Sequence, residues 1–64
     1  MDKIEILDVV ALTEDLEDLR RGEVGTVVEK WKDGVFEVEF SDNLGRAYAF
    51  ATLHPEQIMK LHFR

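Results

Sequence analysis

The run Arg21-Gly22-Glu23-Val24-Gly25-Thr26-Val27-Val28-Glu29-Lys30-Trp31 constrains the fold more than any other stretch of this chain. Gly22 and Gly25 bracket Val24 and then release the backbone into β-branched residues, which is how a small β-barrel leads a loop into its first long strand. Downstream, Val35 to Phe40 alternates strictly: Phe36, Val38 and Phe40 share one face, and Glu37 and Glu39 share the other with Val35. Between these strands Lys32-Asp33-Gly34 reads as a tight hairpin connection, because Asp and Gly tolerate the positive φ of two-residue turns.

A second turn is expected over Ser41 to Gly45, followed by a strand from Arg46 to Leu53. Its faces are Ala47, Ala49, Ala51 and Leu53 on one side and Tyr48, Phe50 and Thr52 on the other. Alternation alone does not decide whether Tyr48 and Phe50 belong to the core or to an open face. Pro55 before Glu56-Gln57-Ile58 suits a single helical turn, since proline at the first helical position gives up no needed hydrogen bond. Met59 to Phe63 leaves room for a last short strand.

Upstream, Asp8 to Leu12 reads as a short strand, and residues 1 to 7 as an arm or a leading edge strand. Thr13 to Gly22 carries two readings. Thr13 could cap a helix, with Glu14 and Asp15 on its positive end, Arg20 and Arg21 on its negative end and Gly22 past its stop. Such a helix would have only two turns and only Leu16 and Leu19 to anchor it, so a long loop with one helical turn is preferred. The expected fold is therefore all-β: a small SH3-like five-stranded antiparallel barrel, with a long acidic loop after the first core strand and a single helical turn before the last. So short a set of strands must curl for its apolar faces to meet.

At 64 residues the chain has the length of one domain, 1–64, with a thin core. It has no cysteine, which removes disulfides and thiolate metal sites and fits a reducing cytoplasm. The N-terminus is charged where a signal peptide needs an apolar stretch, and no run is long enough to span a bilayer, so the expectation is a soluble cytoplasmic protein without a membrane partner. The net charge is −6, from fourteen acids against eight bases. Affinity for nucleic acid rests mainly on cationic side chains that displace counterions, so this balance argues against DNA or RNA and favours a basic protein as partner.

The Val9 to Val28 segment resembles an uncharacterised bacterial family of small SH3-like domains, of about sixty residues, through its Val-Ala-Leu-Thr opening, acidic loop and Arg-Arg-Gly-Glu-Val-Gly-Thr-Val-Val close. The resemblance continues through Phe36 to Phe40, Gly45 to Ala49 and Thr52-Leu53 before Pro55. It implies an SH3-like fold and no catalytic residue. A looser similarity links Arg21 to Glu29 with the KOW-type turn of ribosomal and transcription-factor barrels. This chain lacks the basic surface of the nucleic-acid-binding members.

Glu14, Asp15, Glu17 and Asp18 form the densest charge cluster and are candidate contacts for a basic partner, because carboxylates on a loop meet Lys or Arg at low desolvation cost. Trp31 and Tyr48 are candidates for an adjacent aromatic groove, with Phe50 weighed beside them. The acidic residues lack the rhythm of a calcium loop, and a zinc site usually wants four ligands where this chain has only His54 and His62 and no cysteine, so neither metal nor cofactor is expected. Ser41 and Thr13 have no histidine brought to them by any feature of the sequence, and a barrel this small holds little pocket volume, so no enzyme activity is expected. The resulting expectation is a non-catalytic interaction module, an accessory subunit or the neutralising member of a two-protein pair. The alternative is an RNA- or ribosome-associated domain with a basic stripe of Arg20, Arg21, Lys30, Lys32 and Arg46. Self-association through a strand edge is a third expectation.

Overall fold

A computed structural model describes residues 3–62 of the chain. Five strands follow one another: β1 (Val9–Leu12), β2 (Val24–Lys30), β3 (Phe36–Ser41), β4 (Ala47–Leu53) and β5 (Ile58–Lys60), with a single 3₁₀ turn, Pro55–Gln57, before the last. All pairings are antiparallel, in one sheet of order β4-β3-β2-β1-β5. The all-β fold with its lone helical turn agrees with the sequence reading. Over 3–8 the chain forms no strand, and Met1, Asp2 and Phe63, on which parts of the expected arm and last strand fall, lie outside the described residues.

One face of every strand feeds a single core. Val10 and Leu12 of β1, Val27 of β2, Phe36, Val38 and Phe40 of β3, Leu53 of β4 and Ile58 of β5 form one buried cluster, joined by Leu19 from the loop after β1. For β4 and β5, at opposite ends of the hydrogen-bonded order, to reach the same cluster, the sheet must curl around it. Burying each of these side chains contributes about 1.5–3 kcal/mol, which is where a chain with so few core residues finds its stability.

Two extra residues tune the faces. The β2–β3 register runs Val27↔Val38 and then Glu29↔Glu37, so Val28 is the surplus residue of a bulge. Without it the alternation would turn Glu29 inward; with it Glu29 lies beside Glu37 on the outer face. The β3–β4 register runs Phe40↔Ala49 and then Ser41↔Ala47, which makes Tyr48 the surplus residue of a second bulge.

Both hairpins use a three-residue connection, which replaces the two-residue turn chemistry expected at Lys32-Asp33-Gly34 and falls within the longer turn expected over Ser41 to Gly45. Gly34 N–H donates to Trp31 O and Gly45 N–H to Asp42 O, and only the glycines take positive φ, at 85° and 79°. Asp33 stays at negative φ, because a type I turn followed by a left-handed glycine already carries the strand twist. Val35 is a further correction: it precedes β3 and is buried, whereas the sequence reading had it share a face with Glu37 and Glu39.

Gly25 is needed for a different reason. A Cβ there would stand 2.8 Å from Glu39 O and 2.7 Å from Val38 Cγ1, so β2 and β3 pack too closely for any side chain. Leu7 is the one non-glycine residue at positive φ among the described residues, at 75°, in a turn where Asp8 N–H donates to Glu5 O.

Candidate functional site

The segment between β1 and β2 is a folded-back finger with no helical turn, which corrects the expectation of one. Leu12 N–H donates to Glu23 O and Gly22 N–H to Leu12 O at its base; Leu16 N–H donates to Leu19 O near its tip. Leu19 enters the core and Leu16 packs against it. The pair anchors a hairpin-like loop as well as it would a helix, and the loop spends its backbone hydrogen bonds across the finger instead of along it.

This finger orients the four predicted carboxylates differently. Asp15 Oδ1 accepts from Arg21 N–H at 2.8 Å, and Glu14 Oε2 accepts from Gln57 Nε2 at 3.3 Å, so both help hold the loop. The 3₁₀ turn braces it from below, with Thr13 N–H donating to Gln57 O and the Thr13 hydroxyl to Glu56 O. Glu17 and Asp18 stand at the tip, exposed, and no base among the described residues pairs with them.

Tyr48 joins this end of the molecule. The bulge re-aims its side chain, so that its ring lies 6.5 Å from that of Phe40 and its hydroxyl donates to Glu23 Oε1 at 2.7 Å. The tyrosine hydroxyl, and then the Arg20 backbone N–H, hold the Glu23 carboxyl below the usual carboxylate range. The same bond pushes the Tyr48 phenol up.

Trp31 lies at the far end of the sheet. Four steps along β3 separate the Gly25–Phe40 row, beside Tyr48, from the Lys30–Phe36 row, beside Trp31, a distance of roughly 13 Å at the rise of an extended strand. The two aromatics therefore belong to different ends of one outer face and do not form a shared groove. Trp31 instead walls an open groove of about 730 Å³ whose other lining residues are Lys32, Asp33, Val35, Glu37 and Thr52.

Between the two ends lie Phe50, which the sequence reading weighed with the aromatics, and acidic residues that it did not single out as a site. Glu29 faces Glu37, Glu39 faces Phe50, and the Thr52 hydroxyl donates to Glu37 Oε1 at 2.7 Å. Phe50 is 59 % and Tyr48 52 % exposed, which resolves the open question for both in favour of exposure, Phe50 on the outer face beside Glu39 and Tyr48 at the bulge beside Phe40. The alternation of Glu37 and Glu39 was visible in the sequence; that no base stands opposite them was not.

Four of the cations are paired elsewhere, while Lys32 lines the groove beside Glu37 and Trp31. Lys30 and Lys3 reach Glu5 at 3.5 and 3.6 Å, Lys60 reaches Asp8 at 3.2 Å, and Arg46 reaches Asp42 at 3.2 Å. Asp8 is held below the carboxylate range by the Glu5 N–H and then by Lys60, and Asp42 by the Arg46 N–H and then that of Leu44. Among the described residues no group of three His, Asp or Glu side chains is arranged to hold a metal ion. No helix among them is long and apolar enough to cross a membrane.

One family profile, described as a domain of unknown function (DUF4926), matches residues 6–60, and the chain belongs to that family. Neither a curated protein nor a solved structure matches it.

Proposed function

We propose that this member of a family of unknown function is a non-catalytic interaction module, a small acidic SH3-like barrel that docks on a basic protein. It would serve as an accessory subunit or as the neutralising member of a two-protein pair. The strand order β4-β3-β2-β1-β5 with a 3₁₀ turn before the last strand supports the SH3-like description. A chain without cysteine suits a reducing, intracellular setting.

The observation that carries the reading is where the charge goes unneutralised. All four ion pairs among the described residues use Glu5, Asp8 or Asp42. Glu17 and Asp18 at the loop tip, and Glu29, Glu37 and Glu39 on the outer face, form no ion pair among the described residues. Exposed Trp31, Tyr48 and Phe50 lie along the same face, so a partner would find carboxylates for its cations and rings for its apolar surface. Of the basic stripe Arg20, Arg21, Lys30, Lys32 and Arg46, Lys30 and Arg46 already face acids, which leaves three cations with no ion pair among the described residues to set against the net charge of −6 and weighs against the RNA-binding alternative.

Affinity purification from the native lysate tests the proposal. One stoichiometric partner of basic composition is expected, released when Glu14, Asp15, Glu17 and Asp18 are replaced by serine. Repeated recovery of no partner, or of an acidic one, would contradict it.

A further inference from the structure

The two edges of the sheet are unequal. β5 has three residues, and its Lys60 is tied to Asp8 and to the Lys3 carbonyl. β4 has seven, Ala-Tyr-Ala-Phe-Ala-Thr-Leu, with no charge and no proline, and it pairs only with β3. Edge strands are ordinarily protected by shortness, charge, proline or a bulge. The bulge at Tyr48 protects the head of β4, but Ala49 to Leu53 continues in regular register with β3 and has none of these devices.

We propose that an extended basic segment of the partner adds as a further antiparallel or parallel strand along Ala49 to Leu53, laying alternate lysine or arginine side chains across the outer face toward Glu39 and Glu37. The inference rests on the reading of the chain as a module for a basic protein, and it names how that partner is held. Backbone hydrogen bonds to the open edge would supply affinity, and every second side chain would supply specificity. The next row inward from the edge is Phe50 beside Glu39 and Thr52 beside Glu37, so a long cationic side chain from an added strand passes over an apolar or hydroxyl-bearing residue before it meets a carboxylate. Glu29, directly opposite Glu37, adds a second negative charge at that position. Like charges opposed across strands are unfavourable in the free protein, and a cation placed between them removes that cost. At the Leu53 end the added chain meets the groove walled by Trp31, whose ring offers a face to a guanidinium.

Charge complementarity selects this occupant over a second copy of the chain. Two molecules each carrying −6 would bring Glu37 and Glu39 of both near one seam with nothing to neutralise them.

The test uses a capped nine-residue peptide alternating arginine and threonine, titrated into the full-length protein by calorimetry and by amide chemical shifts. Binding is expected with shifts concentrated in β4. Methylating the peptide nitrogens of one edge, at unchanged charge, should weaken it about tenfold or more, because that edge can no longer donate to the ladder. The pair Glu37→Gln and Glu39→Gln should weaken it by about tenfold, and Phe50→Lys should do the same in a protein whose melting temperature is checked first. Replacing the loop acids Glu17 and Asp18 by serine should change the affinity for this short peptide by less than about twofold, since they lie beyond the β4 edge and are left to the rest of the full partner. Equal binding of the methylated peptide, shifts confined to residues 13–23, or dimers of the free chain abolished by Phe50→Lys would each overturn the inference. A stoichiometric basic partner that tolerates Phe50→Lys would sink the edge and spare the module. Peptide binding at β4 without any native partner would do the reverse.

Discussion

The Tyr48 hydroxyl donates to Glu23 Oε1 at 2.7 Å, joining the bulged head of β4 to the residue that closes the acidic loop. Glu23 accepts a second bond through Oε2 from the Arg20 N–H, so one carboxylate fastens both the loop and the aromatic. The relationship makes the loop's conformation depend on pH from two sides.

Glu23 has a lowered folded-state pKa, so its contribution is present above the ordinary carboxylate range and is lost as pH falls through the folded value. Tyr48 has a raised one, so its contribution is present below the ordinary phenol range and is lost as pH rises through the folded value. Asp8 and Asp42 act in the same acid window as Glu23. Thermal melts from pH 2 to 12 should show stability falling below about pH 4 and again above about pH 10. In Tyr48→Phe the alkaline fall should diminish and a carbon-detected titration of Glu23 should move toward its ordinary value.

Gly25→Ala should be among the most damaging single-methyl changes. The added Cβ would meet a backbone oxygen, which cannot rotate away, so the strands must separate at a cost of about 2 kcal/mol or more. Gly34→Ala meets nothing within 4 Å and costs only about 1 kcal/mol for its positive φ. Denaturant unfolding of the two variants compares them directly.

Leu7 should be replaceable with profit. Its φ of 75° suits glycine or asparagine, and it is 74 % exposed, so little burial is lost. Leu7→Asn should match or exceed the parent in urea, by up to about 1 kcal/mol. A clear loss would mean that the leucine side chain has a packing role.

Glu29→Lys should raise the melting temperature by roughly 2–4 °C by replacing a like-charge pair with an opposite one across from Glu37. The same change should weaken binding to a basic partner. Gain of stability with loss of binding marks a charge retained for function. Stability unchanged and binding unchanged would remove Glu29 from the surface.

Much of this was legible in the residues. The alternation from Phe36 to Phe40 located β3 and its inner face, Pro55-Glu56-Gln57 gave the 3₁₀ turn, and the glycines after Asp33 and Leu44 located both hairpins. The finger was less legible, because Leu16 and Leu19 at a spacing of three suit one helical turn and a folded-back loop equally. The two bulges were invisible, since a surplus residue is defined only by the partner strand. They are what carry Glu29 beside Glu37 and Tyr48 toward Glu23. For the same reason the sequence reading placed Trp31 and Tyr48 in one candidate surface, although strand register puts them at opposite ends of it. It listed the loop acids and weighed Phe50 with the aromatics, but passed over Glu37 and Glu39, whose importance arises from forming no ion pair among the described residues.

The most direct measurement is titration of the purified chain with its co-purifying partner at low and at physiological salt. The account predicts a one-to-one complex that weakens as salt rises and weakens further when the loop acids are neutralised. A complex indifferent to salt and to those substitutions would contradict it.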